Sequence, residues 1–240
     1  GGLNAMIADS SALPEQLVDD VVASAFGSAG QRCSAARMLF VQEDSADHVL
    51  DMLGGAIAEL KLGDPAALAT DIGPVIDEDA CTMLETHKQA LKNEAKRKIG
   101  EAPLPGGMEN NGHFVAPVAY ELERADWLNE EVFGPVLHVV RYAAEDIDKV
   151  VDAINNKGYG LTFGVHSRVD GFCHDMAQRI NAGNVYVNRG IIGSVVESQP
   201  FGGRGLSGTG PKAGGPNYLT RFADEKVVSI NTTAQGGNAS

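Results

Sequence analysis

Pro14-Glu-Gln-Leu17-Val18-Asp-Asp-Val21-Val22-Ala-Ser-Ala25-Phe26-Gly27-Ser-Ala-Gly30-Gln-Arg32-Cys33-Ser34-Ala-Ala-Arg-Met38-Leu-Phe-Val41 passes from one kind of pattern to another. Leu17, Val18, Val21, Val22, Ala25 and Phe26 recur at helical spacing, and Pro14 suits a first turn, where its missing N–H costs nothing. Gly27 to Ser34 is a loop of small residues. Met38–Val41 is a short apolar run of the kind found in buried strands. Ahead of Pro14, Gly1-Gly-Leu-Asn-Ala-Met-Ile7 has the look of a strand already under way.

The same alternation continues outward. A helix is predicted from about Ser45 to Leu62, with Gly63 as its stop, and a polar helix from Asp77 to Lys98. Residues 102–112 form a loop rich in turn residues. Strands are predicted near Phe114–Ala119 and Val136–Tyr142, then a helix over Glu145–Lys157 capped by Gly158. A strand at Leu161–Val165, a helix at Phe172–Ile180 and a strand at Val185–Val187 follow. Lys226–Ile230 is expected to be a late edge strand. Strands alternating with helices predict an α/β fold, a mainly parallel sheet with helices on both faces. Ligands of such sheets gather beyond the carboxyl ends of the strands.

Composition narrows the function classes. The chain of 240 residues is 43% hydrophobic, enough for one large core. No apolar run is long enough to span a membrane. A net charge of -13 argues against duplex DNA as a partner of this segment. The small Lys96-Arg97-Lys98 cluster is expected to close a helix, where cations favour the negative end of the dipole. Cys33, Cys81 and Cys173 are too scattered for a disulfide framework or a zinc site, so no metal is expected and a reducing cytoplasm fits. The Gly1 start lacks a signal-type n-region, and the expectation is a piece of a longer protein.

Cys33 lies among small residues in Gly30-Gln-Arg-Cys33-Ser-Ala35, with Arg32 adjacent. A thiol there is either a small buried hydrophobe or a nucleophile whose thiolate the neighbouring cation favours. Glu131, in Glu130-Glu131-Val-Phe133-Gly134-Pro135, is either a surface acid or an acceptor for a ligand hydroxyl. Gly203, Gly205 and Gly208 match G-x-G-x-x-G, but no strand leads in and Pro211 and Pro216 forbid a following helix, so a phosphate cradle is rejected.

Together these motifs resemble the aldehyde dehydrogenase superfamily. Gly-Gln-x-Cys some thirty residues after Gly1-Gly2 is similar to its nucleophile pattern, and Glu131-Val-Phe133-Gly134-Pro135 to its Glu-x-Phe-Gly-Pro motif. Pro200-Phe-Gly-Gly with Ser207-Gly-Thr-Gly-Pro-Lys-Ala-Gly-Gly-Pro216, and Asn184-Val-Tyr-Val-Asn188-Arg, resemble the glutamate γ-semialdehyde (pyrroline-5-carboxylate) dehydrogenase region of bacterial proline utilisation A proteins. The likeness runs from Gly1 to about Phe222.

The resemblance implies NAD-dependent oxidation of glutamate semialdehyde to glutamate in proline catabolism, with Cys33 as nucleophile and its backbone N–H as an oxyanion donor. It implies that Glu131 binds a ribose of NAD and Phe133 packs near the nicotinamide. It further implies that Ser34, Gly193 and Ser194 anchor the substrate's charged end and that Phe201 lines its aliphatic part. Glu197 departs from the family's small residue, and is expected to face solvent. By the same resemblance, 1–222 is the Cys-bearing catalytic domain and 223–240 a tail with an oligomerisation strand. The dinucleotide-binding domain, the activating Glu ahead of Gly1 and an upstream Asn are expected elsewhere in a parent polypeptide, as is any FAD-binding proline dehydrogenase region. The isolated chain is therefore expected to be inactive. Three other readings remain in view: a non-catalytic, homo-oligomeric assembly module, an aldehyde dehydrogenase acting on another small aldehyde, and a Cys–His hydrolase using His113 or His166.

Overall fold

A computed structural model describes residues 1–107, 112–195 and 197–236. Part of the expected 102–112 loop, Val196 and the last four tail residues lie outside the described set. The elements in order are β1 (Asn4–Ala8), α1 (Pro14–Phe26), β2 (Ala36–Gln42), α2 (Glu43–Ala58), α3 (Glu78–Glu94), β3 (Arg97–Glu101), β4 (Val118–Leu122), β5 (Val136–Tyr142), α4 (Ile147–Asn155), β6 (Tyr159–Gly160), β7 (Thr162–His166), α5 (Asp170–Arg179), β8 (Asn184–Val187) and β9 (Arg204–Gly205).

Seven strands form one sheet in the order β3-β4-β5-β2-β1-β7-β8. Only the β3–β4 pairing is antiparallel. The connection from β1 to β2 steps one way along the sheet and that from β7 to β8 steps the other. Right-handed crossovers then place α1 and α2 on one face and α4 and α5 on the opposite face. A hydrogen bond from Asn155 Nδ2 to the Arg179 carbonyl, 3.0 Å, ties α4 to α5. Cover on both faces explains why β1 is buried along its whole length and β2 nearly so.

The expected α/β class holds, with several local corrections. The polar helix ends at Glu94 rather than Lys98, and Arg97 and Lys98 open the edge strand β3. Arg97 Nε donates to Glu121 Oε2 of β4 at 2.8 Å, a cross-strand pair that competes with the helix. The strand expected at Phe114–Ala119 starts at Val118. Residues 226–230 form no strand: they are exposed, and no partner lies beside them among the described residues. An edge without a neighbouring strand has no ladder to join.

Candidate active site

The sequence-predicted residues collect at the amino ends of the parallel strands, not at the carboxyl ends. Cys33 and Ser34 immediately precede β2, and Glu131 and Phe133 precede β5. The start of β8 supplies Asn184, whose Nδ2 donates to the Pro200 carbonyl at 3.0 Å and so brings Phe201 to the same rim. Phe201 is clamped further by reciprocal backbone bonds with Ala213, at 3.0 and 2.9 Å.

The nucleophile loop begins where α1 ends. Ser28, Ala29 and Gly30 all have positive φ, so the chain coils left-handedly before entering Cys33. Two buried polar residues pin this costly backbone. Asn4, in β1, donates from Nδ2 to the carbonyls of Cys33 (2.7 Å) and Ala35 (2.8 Å) and accepts the Thr162 N–H at 3.1 Å. The Thr162 hydroxyl also donates to the Ser34 carbonyl at 3.2 Å. From the other side, fully buried Arg37 of β2 donates Nη1 to the carbonyls of Gly30 (2.7 Å) and Gly134 (3.1 Å), and Nη2 to that of Arg32 (3.1 Å).

Arg37 therefore joins the nucleophile loop to the Glu131–Gly134 segment. Its Nη2 lies 3.6 Å from Glu131 Oε1, and its Cζ lies 5.2 Å from the Phe133 ring centroid. Burial pulls the guanidinium below the usual arginine value, while Glu131 and, more weakly, Cys33 oppose that fall. The two segments touch: a Cβ on Gly30 would stand 2.2 Å from the Gly134 carbonyl oxygen. On the far side of Arg37 its own carbonyl accepts from His138 Nδ1 at 2.9 Å, and His138 Nε2 meets His87 Nε2 at 2.9 Å. Burial pushes His138 down to about 3 and His87 to about 4, so both rings are neutral near pH 7. The His138 Nδ1–H then donates, and the His87 Nε2–H donates to His138.

Cys33 is exposed, whereas Cys173 is buried. The Cys33 N–H makes no hydrogen bond among the described residues. Ser34 is 7% exposed. Its hydroxyl has no protein partner among the described residues. Phe133 is 39% exposed, and Glu131 Oε1 is a buried oxygen without a hydrogen bond. Gly193 is exposed with φ 76°. The Ser194 hydroxyl meets the Tyr186 hydroxyl at 2.8 Å, and Ile191 N–H donates to Ser24 Oγ at 3.0 Å, seating this loop against the end of α1. Glu197 is exposed in a left-handed turn, in line with its expected orientation. A concavity of about 650 Å³ at the β3 edge, lined by Glu85, Lys88, Lys98 and Glu101, holds none of the predicted site residues.

A Cys–His pairing is not formed. His166 is buried at the carboxyl end of β7, facing Asp20 at 3.7 Å, across the sheet from the nucleophile rim. His113 is exposed in a bridge to Val75. Asn4, Arg37, Thr162 and Tyr186 were missed at the level of sequence. Their signal was a polar side chain interrupting an apolar strand.

A parallel sheet with an exposed thiol loop locked beside a Glu-x-Phe-Gly-Pro turn defines the class: the chain belongs to the aldehyde dehydrogenase family, whose model matches residues 1–228. Among individual proteins it is 53% identical to the bifunctional protein PutA of Klebsiella aerogenes over 94% of this chain and 18% of that protein. A Bradyrhizobium japonicum proline utilization A structure superposes with a TM-score of 0.91 at 58% identity, covering 98% of this chain and 24% of that one. A Thermus 1-pyrroline-5-carboxylate dehydrogenase with bound NAD gives 0.83 at 34% identity, over 92% of this chain and 42% of that one. The chain thus spans about a fifth of the curated PutA relatives it matches.

Proposed function

We propose that this chain is the Cys-bearing part of an NAD-dependent dehydrogenase that oxidises L-glutamate γ-semialdehyde to glutamate in proline catabolism. The observation that carries the reading is the placement of an exposed thiol on a loop that one buried arginine fastens to the Glu131–Phe133 segment. Relatives named for both PutA and 1-pyrroline-5-carboxylate dehydrogenase support the substrate.

The Cys33 thiolate bonds to the aldehyde carbon, and the carbonyl oxygen takes up the negative charge beside the free Cys33 N–H. Loss of hydride from that carbon leaves a thioester on Cys33; water then cleaves the C–S bond and returns the thiol. The residues fit a dinucleotide, because the partly exposed Glu131 carboxylate can accept from a ribose hydroxyl and the half-open Phe133 ring offers a face for stacking. NAD held there would supply the hydride acceptor. The Ser34 hydroxyl and the Gly193–Ser194 N–H groups are donors suited to the substrate carboxylate, with Phe201 against its methylenes.

The dinucleotide-binding domain and the acid that activates water belong, in this reading, to the rest of a cytoplasmic parent polypeptide, as does any FAD. Residues 1–222 act as the catalytic domain. Exposed Phe222, Val227, Val228 and Ile230 favour a tail that pairs with another subunit rather than with nucleic acid or a membrane. The test is direct. In the full polypeptide, Cys33→Ala abolishes NADH formation from glutamate semialdehyde while leaving NAD binding intact; residual turnover near the wild-type rate would refute the assignment.

A further inference from the structure

Residues 30–32 and 131–134 are about a hundred positions apart along the chain, yet a single side chain holds both. Arg37 gives three of its N–H groups to carbonyls of these segments and faces the Glu131 carboxylate at 3.6 Å. That separation exceeds a hydrogen bond, so Glu131 is steered by charge: its Oε1 is buried facing the guanidinium, while the side chain as a whole stays 16% exposed. Arg37 Nε is also left without a partner. Burying a guanidinium is a poor way to gain stability, since an apolar residue of similar size often does as well. Its use here calls for a reason other than holding the core together.

We propose that Arg37 is a positioning residue, fixing the spacing between the Cys33 sulfur and the Glu131 carboxylate so that nucleophile and cofactor-facing segment move as one piece. The proposal rests on the dehydrogenase reading of those two residues. Lysine cannot replace it, because one ammonium lacks the planar fork that reaches three carbonyls and a carboxylate at once. His138 completes the strut by fixing the Arg37 backbone from beneath, so that the side chain pivots from a rigid base.

The experiment uses the full polypeptide carrying Arg37→Lys, Arg37→Met or Glu131→Gln. Four quantities are read: the NAD dissociation constant, the kcat and the KM for the aldehyde, and the rate at which iodoacetamide alkylates Cys33 with and without NAD. Arg37→Lys is expected to weaken NAD binding about tenfold, as for loss of one charged contact. It should lower kcat with little change in aldehyde KM, and uncouple Cys33 alkylation from NAD. Combined with Glu131→Gln it should add little to either single change, because both cut the same link. A folded Arg37→Lys protein with wild-type NAD affinity and alkylation, or losses that simply add in the double variant, overturns the proposal. If neither Arg37 variant folds, Glu131→Gln alone decides: an altered Cys33 alkylation rate supports the link, and an unaltered one overturns it. A wild-type protein that neither binds NAD nor oxidises the aldehyde would instead defeat the functional reading, while alkylation of Cys33 still reports on the strut.

Discussion

Asn4 makes three hydrogen bonds, two of them buried, to the nucleophile loop and to β7, and leucine in its place would strand two carbonyls and one N–H. Unsatisfied groups of this kind cost about 1–3 kcal/mol each, and partial relaxation should leave a net loss of about 3 kcal/mol. Hydrogen exchange of the Thr162 amide should then quicken on the order of a hundredfold, and unchanged exchange would show that Asn4 is not a bracket. Exposure also ranks the thiols. A bulky maleimide should modify Cys33 first in the native protein and reach Cys173 only on unfolding; early labelling of Cys173 would contradict the described packing. At this scale Cys33 and Glu131 stood out as candidates because their motifs are local. Asn4 and Arg37 were not, because their partners come from β7 and from the segment before β5, and no spacing along the chain encodes that meeting.

Among the elements, α3 and β5 meet through the His87–His138 pair, with the tilted Trp127 ring 5.2 Å from His87 between centroids. Both histidines titrate lower in the fold than their ordinary 6.5, at about 4 and about 3. The unfolded chain therefore binds more protons between those values and 6.5. The stabilisation is complete above about pH 6.5 and drains away as the pH falls toward 4. For buried His138 the slope approaches about 1.4 kcal/mol per pH unit, and the only partly buried His87 contributes less. Urea midpoints at pH 7 and pH 5 should differ in that direction, and His138→Gln should flatten the difference; an equal slope in the variant would exclude this pair as its origin. The helix α1 and strands β2 and β5 were readable from periodicity because burial dictates their pattern. β3 was not, since its Arg97 joins Glu121 across the sheet and its Lys98 pairs with Glu101 instead of closing a helix end. The 226–230 segment misled for the opposite reason: a strand-like pattern, but nothing beside it to pair with.

For the molecule as a whole, one core carries the sheet and its helices, while residues 223–230 lie exposed outside it. Removing the tail should leave the unfolding midpoint of this domain unchanged and shift the sedimentation of the parent polypeptide toward smaller species. A lower midpoint would mean that the tail belongs to the core. Because the chain spans about a fifth of its PutA relatives, purified residues 1–240 should form no NADH from glutamate semialdehyde; measurable formation would show that the remaining length is dispensable. The overall class was legible from alternation alone. The side of the sheet that gathers the candidate residues was not, because the usual rule for open sheets points to the carboxyl ends.

That inversion leaves the opposite edge of the sheet available to a protein engineer. There Asp9, Ser11, Ser167 and Asn188 form a closed polar knot with no assigned chemistry, and Ser10 and Asp170 stand exposed beside it. A strand of five residues separates this edge from Cys33, roughly 15 Å at the usual rise per residue. A dye or affinity handle grafted at Ser10 or Asp170 would ride on the far end of the sheet, close enough to sense the thiol's surroundings and too far to obstruct them.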